Sequence, residues 1–533
     1  MANFKANIIF CLIVIVYCIY GAIFIYQTSL LINSQRYFCL LDDAMISMRY
    51  AKNFASGQGL VWNPGGEKVE GYTNLLWTLY MSGCHFFPIP DSKMSLCIQI
   101  SGLLFLAFNL LFVRKIADYL SEGSNLVSLS AVCLTAFFYP LNNAGLRGME
   151  VCLLTLLIST STWVILDSWK NKKFPVIIYP LLTVLLLTRL DTIIICFIFW
   201  FFLLATDKEN YKKHLRWGLF FLGLGLIPQT IFRFFYYGDW LPNTYYLKMT
   251  GGPFTLRIAH GIYVFAKNFL LERGLVLFFI PLVLLFFQPN PQIFLLLLLI
   301  FGQIFYSIYV GGDAWETFLE SNRFIAIVMP PFFVLLVLTF YKIISIFSEN
   351  SFRKFFYLMA IGATIIIFNA SINLRYLKNW LLLEEPLQKN ILHRNWLTVA
   401  LILKDLTTPQ ARITVSASGT TAYFLPDRNF IDILGKCDRY IARLKMRRPP
   451  DPLRDFFPGH MKWDYFYSIV LPQPDVVVVF SLPVKSGEDE KFFSNYFMRE
   501  YLFPDFNKKI EPERVFFKRG SPNILWNKKL TAI

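Results

Sequence analysis

Long apolar runs alternate with short polar breaks over the first 372 residues. The first run extends from Ile8 to Ile32, and others lie near 94–113, 125–140, 149–166, 174–189, 192–206, 217–235, 274–288, 291–309, 323–341 and 355–372. A helix needs roughly 20 mostly apolar residues to cross a bilayer, with tolerance for shorter runs. The pattern therefore predicts an α-helical polytopic membrane protein with about 11 transmembrane helices. The first run follows Lys5 with no small-residue cleavage pattern after it, and reads as a retained signal anchor.

The stretch 73–90, TNLLWTLYMSGCHFFPIP, is apolar but short. Charge decides where it belongs. If it lies in the interface, then Arg114-Lys115, Lys170 to Lys173, Lys208 to Arg216 and Lys342 to Lys354 all share the side of Lys5, as the positive-inside rule requires. If it crosses, the first three of these loops change sides and the rule fails repeatedly. Residues 73–90 are thus expected as a juxtamembrane or re-entrant helix within a first outer loop, 33–93. Eleven crossings then put the loops 141–148, 236–273 and 310–322 on the outer face with the C-terminal tail.

The tail, 373–533, reads as a small extracytoplasmic α/β domain following a transmembrane domain of residues 1–372. Leu387 to Leu406 has the pattern of an amphipathic helix. Arg412 to Val415 and Asp475 to Phe480 read as strands, the second a continuous buried run.

Composition agrees with this division. The chain is 56% hydrophobic and only 16% charged, against about a quarter charged in soluble domains. Part of the net charge of +16 sits in the short loops that fix topology, so nucleic acid is not an expected partner. Nine scattered cysteines and five dispersed histidines show no metal-ligand spacing. No P-loop, GxSxG or dinucleotide fingerprint is present, which leaves nucleotide-dependent chemistry without support.

Candidate chemistry concentrates on the outer face. Asp42 and Asp43 stand just after the first run. Paired carboxylates beside a bilayer are costly unless solvated or used. Desolvation and mutual repulsion favour the protonated form of one of them, which suits a general base. The structural alternative is that Asp42 caps a helix from Ala44 to Ala55. Other polar groups lie in or beside the outer loops: Arg147 and Glu150, Arg189, Asn243 and Lys248, Asp313 and Arg323. Singly, each is compatible with an interfacial anchor. As a set, they suit a phosphate held by cations and a polyhydroxylated group held by carboxylates and amides. Paired acids also bind Mg²⁺ or Ca²⁺; no obligatory metal is expected, and a divalent cation remains a point for experiment.

The ordered stretches DDAMISMRYAKNFASGQGLVWNPGGEKVEGYTN, GLRGME, TRLD, YYGDWLPNTYYLK and GGD…NRF resemble the GT-C superfamily of membrane glycosyltransferases. They are most similar to the terminal β-(1→2)-arabinofuranosyltransferase group, and more distantly to protein O-mannosyltransferases and the lipid A aminoarabinose transferase. The resemblance continues at FIDILGKCDRYIA and PGHMKWDYFY in the tail. Leu190 stands where such proteins commonly carry proline.

The resemblance implies a polyprenyl-phosphate sugar donor, a glycan or glycolipid acceptor in the cell envelope, and an active site in the first outer loop. It carries the family's acidic pair onto Asp42 and Asp43, with Glu150 as a second acidic position. Arg147, Arg189, Lys248 and Arg323 are then expected at the donor phosphate, with Asp313, Asn243 and Tyr72 at the phosphate or sugar. The expected location is the bacterial inner membrane, with the N-terminus in the cytoplasm. The rival reading is a transporter or flippase of lipid-linked sugars, which would show intramembrane charges along a route or paired broken helices in two halves.

Overall fold

The computed structural model describes residues 2–314, 316, 322–347, 350–371, 374, 377–383, 387–478, 493–501 and 513–526. It divides into two units. Unit one comprises Met1–Thr28, Ile98–Gln229 and Pro253–Pro386, and unit two Ser29–Cys97, Thr230–Gly252 and Leu387–Ile533.

Among the described residues, seven helices are long and apolar enough to cross a membrane: Phe4–Gln27, Asp91–Leu120, Val151–Asn171, Tyr211–Tyr237, Pro291–Val310, Met329–Ile346 and Phe352–Ala370. Two bent pairs also qualify, Asn125–Ala136 with Tyr139–Leu146 at 51° and Phe254–Leu271 with Val276–Phe287 at 99°. Two shorter apolar helices, Ile178–Thr188 and Leu190–Thr206, complete the set. These positions match the eleven apolar runs, and the chain is a multi-pass membrane protein.

Each bend has a local cause. Pro140 sits in the first turn of Tyr139–Leu146, where a missing N–H costs nothing but the preceding helix cannot continue. Gly274, at φ 90°, breaks the second pair. Two boundaries differ from expectation. The first helix, Ala2–Gln27, stops before Ile32. The chain then forms an antiparallel hairpin in unit two, β1 (Leu30–Ile32) with β2 (Gln35–Tyr37). Asn33 and Ser34 both have positive φ, the geometry a two-residue hairpin turn needs. Residues 236–273, expected as a loop, contain the helices Asn243–Met249 and Phe254–Phe265.

In unit two the helix Asp42–Ala55 packs against Leu75–His85. The latter has 11 residues. At 1.5 Å per residue it is about 16 Å long, too short for a hydrocarbon core of about 30 Å. A five-stranded sheet is built from β3 (Arg412–Val415), β4 (Asn429–Asp432), β5 (Val476–Val478), β6 (Tyr496–Tyr501) and β7 (Glu513–Lys518), in the order β4-β3-β5-β7-β6. β3 runs parallel to β4 and β5, with Ile413 opposite Phe430 and Val476; β7 is antiparallel to β5 and β6. The expected strand at Asp475–Phe480 is seen as β5, while Val479 and Phe480 lie outside the described residues. Ile433, Leu434, Tyr465, Ile469, Val477 and Tyr496 form an apolar core on this sheet. The helix Leu387–Leu406 occupies the expected residues and packs on the short helix Thr420–Phe424.

Candidate functional site

The two adjacent carboxylates of the first loop have different surroundings. The helix begins at Asp42 with Leu41 in the capping position, so Asp42 does not cap its own helix. Its carboxylate instead accepts hydrogen bonds from the backbone N–H groups of Thr420 at 2.8 Å and Gly419 at 3.3 Å. These are the first donors of Thr420–Phe424, so Asp42 caps a helix far away in sequence. A Cβ at residue 419 would collide with the Asp42 carbonyl oxygen, which is why glycine occupies that position. Asp42 is 2% exposed. Asp43 points elsewhere: its side chain is 20% exposed and accepts a hydrogen bond from Lys436 Nζ at 2.8 Å.

Lys436 is positioned by its loop. The Asp432 carboxylate accepts the N–H groups of Leu434 at 3.0 Å and Cys437 at 2.6 Å. From the other side, the Asn243 amide donates to the carbonyls of Gly435, Lys436 and Asp438 at 2.9–3.1 Å. Gly71 lies so close that a Cβ there would stand 2.5 Å from Cys437 Sγ. Burial disfavours the Lys436 charge, but attraction first to Asp43 and then to Asp42 outweighs it and holds the ammonium above the usual lysine range. His460 joins the same electrostatic neighbourhood. Burial, reinforced by Lys436, pushes its ring down to about 3, so it is neutral; Asp43 and Lys248 act on it more weakly. Lys248 lies across Gly459, where a Cβ would stand 3.0 Å from Lys248 Cε.

The predicted cations of unit one form a second cluster. Arg189 donates to Glu150 at 2.5 Å and grips Asp191 through two bonds of 2.6 and 2.9 Å. Tyr306 donates to the same Asp191 at 2.8 Å. Arg323 pairs with Asp313 at 3.0 Å, and its backbone N–H donates to the same carboxylate. Glu316 supports this arrangement: its carboxylate accepts the Asp313 N–H at 2.9 Å and the Asn322 amide at 3.0 Å. Burial pushes Glu316 up to about 7. Glu150, Arg189, Asp191 and Arg323 line a cavity of about 10 Å³, room for one water at most. Arg147 is buried at the end of the helix Tyr139–Leu146.

The structure thus brings Asp42, Asp43 and Lys248 into one unit, and Glu150, Arg189, Asp313 and Arg323 into the other. Asn243 holds the Lys436 loop through its amide. Tyr72 exchanges a hydrogen bond with the Tyr237 hydroxyl at 3.0 Å inside an aromatic cluster. Lys436, His460, Asp191 and Glu316 were not singled out by sequence. Lys436 and His460 do lie inside the tail stretches FIDILGKCDRYIA and PGHMKWDYFY, but 393 residues separate Lys436 from Asp43. Among the described residues, no group of three or more His, Cys, Asp or Glu is arranged to hold a metal ion.

The eleven apolar segments, the acidic pair on the helix Asp42–Ala55 and the C-terminal sheet together give a fold of the GT-C type. Solved structures of that fold align over nearly the whole chain. ArnT from Cupriavidus metallidurans, bound to undecaprenyl phosphate, matches at 12% identity over 95% of this chain and 97% of its own, with a TM-score of 0.54. The archaeal oligosaccharyltransferase AglB from Archaeoglobus fulgidus, in complex with an inhibitory peptide and a dolichol-phosphate, matches at 11% identity over 97% of this chain and 75% of its own, with a TM-score of 0.51. At such identities the likeness is one of fold. Residues 387–520 match the model of a domain of unknown function, DUF8728. No curated protein matches the chain.

Proposed function

We propose that this protein is an inverting glycosyltransferase that moves a sugar from a polyprenyl-phosphate donor to a hydroxyl of a cell-envelope glycan or lipid. The observation that carries the reading is the contrast between the two first-loop carboxylates. Asp42 is buried and engaged by backbone N–H groups, whereas Asp43 is reachable and lies beside a lysine. The fold, shared with structures that hold undecaprenyl phosphate or dolichol-phosphate, supports the donor class.

In this proposal Asp43 is the base and Asp42 positions it. Asp43 takes the proton of the acceptor hydroxyl as that oxygen bonds to the anomeric carbon. The bond from that carbon to the phosphate oxygen breaks on the opposite face, and polyprenyl phosphate leaves. Positive charge that develops on the sugar ring is stabilised by carboxylates, as in glycoside hydrolysis. Lys436 donates to Asp43 and holds its carboxylate in place. A strong base is not needed, because the hydroxyl becomes acidic only as its bond to carbon forms. Lys248 is the candidate phosphate ligand within unit two, and Arg189, Arg323 and Arg147 are the candidates within unit one. Arg189 and Arg323 are each paired with carboxylates, so a phosphate would take over donors that Glu150, Asp191 and Asp313 now hold.

The finer expectation of an arabinofuranosyl donor rests on the first-loop stretch taken in order with GLRGME, TRLD, YYGDWLPNTYYLK and GGD…NRF. The proposed location is a bacterial inner membrane with unit two's tail outside. The deciding experiment is incubation of the purified protein with a panel of polyprenyl-phosphate sugars, scoring transfer or slow hydrolysis. Turnover that disappears in Asp43→Asn supports the reading; no turnover of any such donor under conditions where it binds would overturn it.

A further inference from the structure

Unit two contains a cavity of about 460 Å³, within the size range of small-molecule sites. It is lined by the rings of Trp62, Phe430 and Tyr467 and by the polar groups of Asn63, Arg412 and Asp438. Two features distinguish it from a packing defect. First, its wall includes a half-buried aromatic ring, Tyr467, backed by Tyr440 at 4.3 Å between ring centroids. An aromatic ring beside a cavity suits a ligand with one apolar face. Second, the polar groups retain capacity. Asp438 accepts the Ile441 N–H at 2.8 Å on one oxygen and the Tyr467 hydroxyl at 3.2 Å on the other, out of about four acceptor positions. Arg412, exposed, gives one N–H to the Pro472 carbonyl at 3.2 Å.

Not every lining group is available. The Asn63 amide donates to the Phe430 carbonyl at 2.7 Å and accepts the Phe430 N–H at 3.1 Å. It thereby closes the outer edge of β4 in the way a neighbouring strand would, and leaves the floor of the cavity rigid. Asp432 lines the cavity too, alongside Asp438. Two carboxylates against one guanidinium disfavour an anionic ligand. Aromatic faces with carboxylate acceptors and a guanidinium donor suit a polyol: a pyranose or furanose ring presents C–H groups on its faces and hydroxyls around its rim. The loop Asp432–Asp438 that walls this cavity also carries Lys436 to Asp43.

We propose that this cavity is a carbohydrate subsite that takes a neutral sugar unit of the acceptor glycan. Its role as an acceptor subsite rests on the transferase reading; its affinity for sugars does not. Tyr467 supplies the stacking face, Asp438 accepts hydroxyl hydrogen bonds and Arg412 donates at the rim. Binding here places the glycan on the same loop that presents the cation beside the proposed base.

The test is saturation-transfer NMR on the full chain in lipid nanodiscs, with methyl α-arabinofuranoside, methyl α-mannoside, cellobiose, maltose and mannobiose as probes. At least one probe is expected to receive saturation, strongest on ring C–H protons. Tyr467→Ala should weaken its binding by about tenfold or more, equivalent to one good contact of about 1.4 kcal/mol. Asp438→Asn should weaken it severalfold, while Tyr467→Phe, which keeps the ring, should remain close to the parent. Melting curves of each variant separate lost binding from lost folding. Absence of saturation on every probe, or an unchanged signal in a folded Tyr467→Ala variant, overturns the proposal. Sugar binding without turnover of any lipid-linked donor would remove the transferase reading and leave the subsite standing; turnover without sugar binding would do the reverse.

Discussion

Neutralising Asp43 and Lys436, singly and together, separates catalysis from scaffolding. At 2.8 Å, two unit charges attract by about 1.5 kcal/mol at the dielectric of water and about 6 kcal/mol at an effective value of 20. The side chains are 12% and 20% exposed, which places the pair nearer the second figure. Removing one partner of such a pair leaves the other charge desolvated and typically costs 3–5 kcal/mol. Asp43→Asn and Lys436→Met should therefore each destabilise unit two by about 3 kcal/mol. The double variant leaves no orphan charge, so its loss should be about 1 kcal/mol where simple addition gives about 6 kcal/mol. For a unit of roughly 240 residues, 1 kcal/mol corresponds to about 2–4 °C. The single variants should then melt about 6–12 °C lower and the double within about 4 °C of the parent. Activity should not follow this recovery. Asp43→Asn should lose about 10²–10⁴ in rate, and the double variant should stay as slow. The assay pairs intrinsic-fluorescence melting with release of polyprenyl phosphate in nanodiscs. Recovery of both stability and turnover in the double variant would show that Asp43 is only a structural partner of Lys436. Strict additivity of the two melting shifts would remove the coupling on which the argument rests.

Further expectations test the neighbouring assignments. Asp42→Ala deprives two backbone N–H groups of their acceptor and should cost about 1–3 kcal/mol, with activity falling only as far as the folded fraction in melting and turnover assays; a fully stable but inactive variant would move the base to Asp42. Arg189→Lys cannot serve Glu150 and Asp191 with a planar fork, and turnover should fall about tenfold to a hundredfold, which donor titrations would register as weaker binding or slower release. Burial raises Glu316 from 4.5 to about 7, so the folded state favours its neutral form. Its contribution to stability is therefore fully present below about pH 4.5 and is lost as pH rises through about 7. The parent's melting temperature should fall across that window relative to Glu316→Gln, whose curve should be flatter; parallel curves from pH 4.5 to 8 would refute the assignment.

The membrane part of the fold is legible in the sequence because the bilayer imposes a crude rule: about 20 apolar residues or no crossing. Charge asymmetry gave the same side to four basic loops and kept 73–90 out of the count, and the 11-residue helix found there is indeed too short to cross. What escaped the pattern is set by single residues, such as the Asn33-Ser34 turn that ends the first run early, or by amphipathic helices such as Phe254–Phe265 whose polar positions read as loop. In the tail, β5 announces itself as an apolar run, whereas β6 (YFMREY) contains two charged residues and β7 (ERVFFK) three, which break the apolar pattern. The candidate site shows the same limit more sharply. Asp42 and Asp43 are conspicuous as a pair, yet the property that distinguishes them comes from residues nearly 400 positions away. Thr420 and Gly419 bind one; Lys436 pairs with the other. A lysine in a basic tail carries no local mark of such a role. Its loop does: an aspartate at 432 that folds back on its own backbone, a glycine at 435 with φ of 77°, and an asparagine at 243 that holds the carbonyls of Gly435, Lys436 and Asp438 make a rigid cradle where a surface loop would need none. If Asp43 is the base, as proposed, that rigidity ties the sheet domain to the chemistry of the first loop through the Lys436–Asp43 pair.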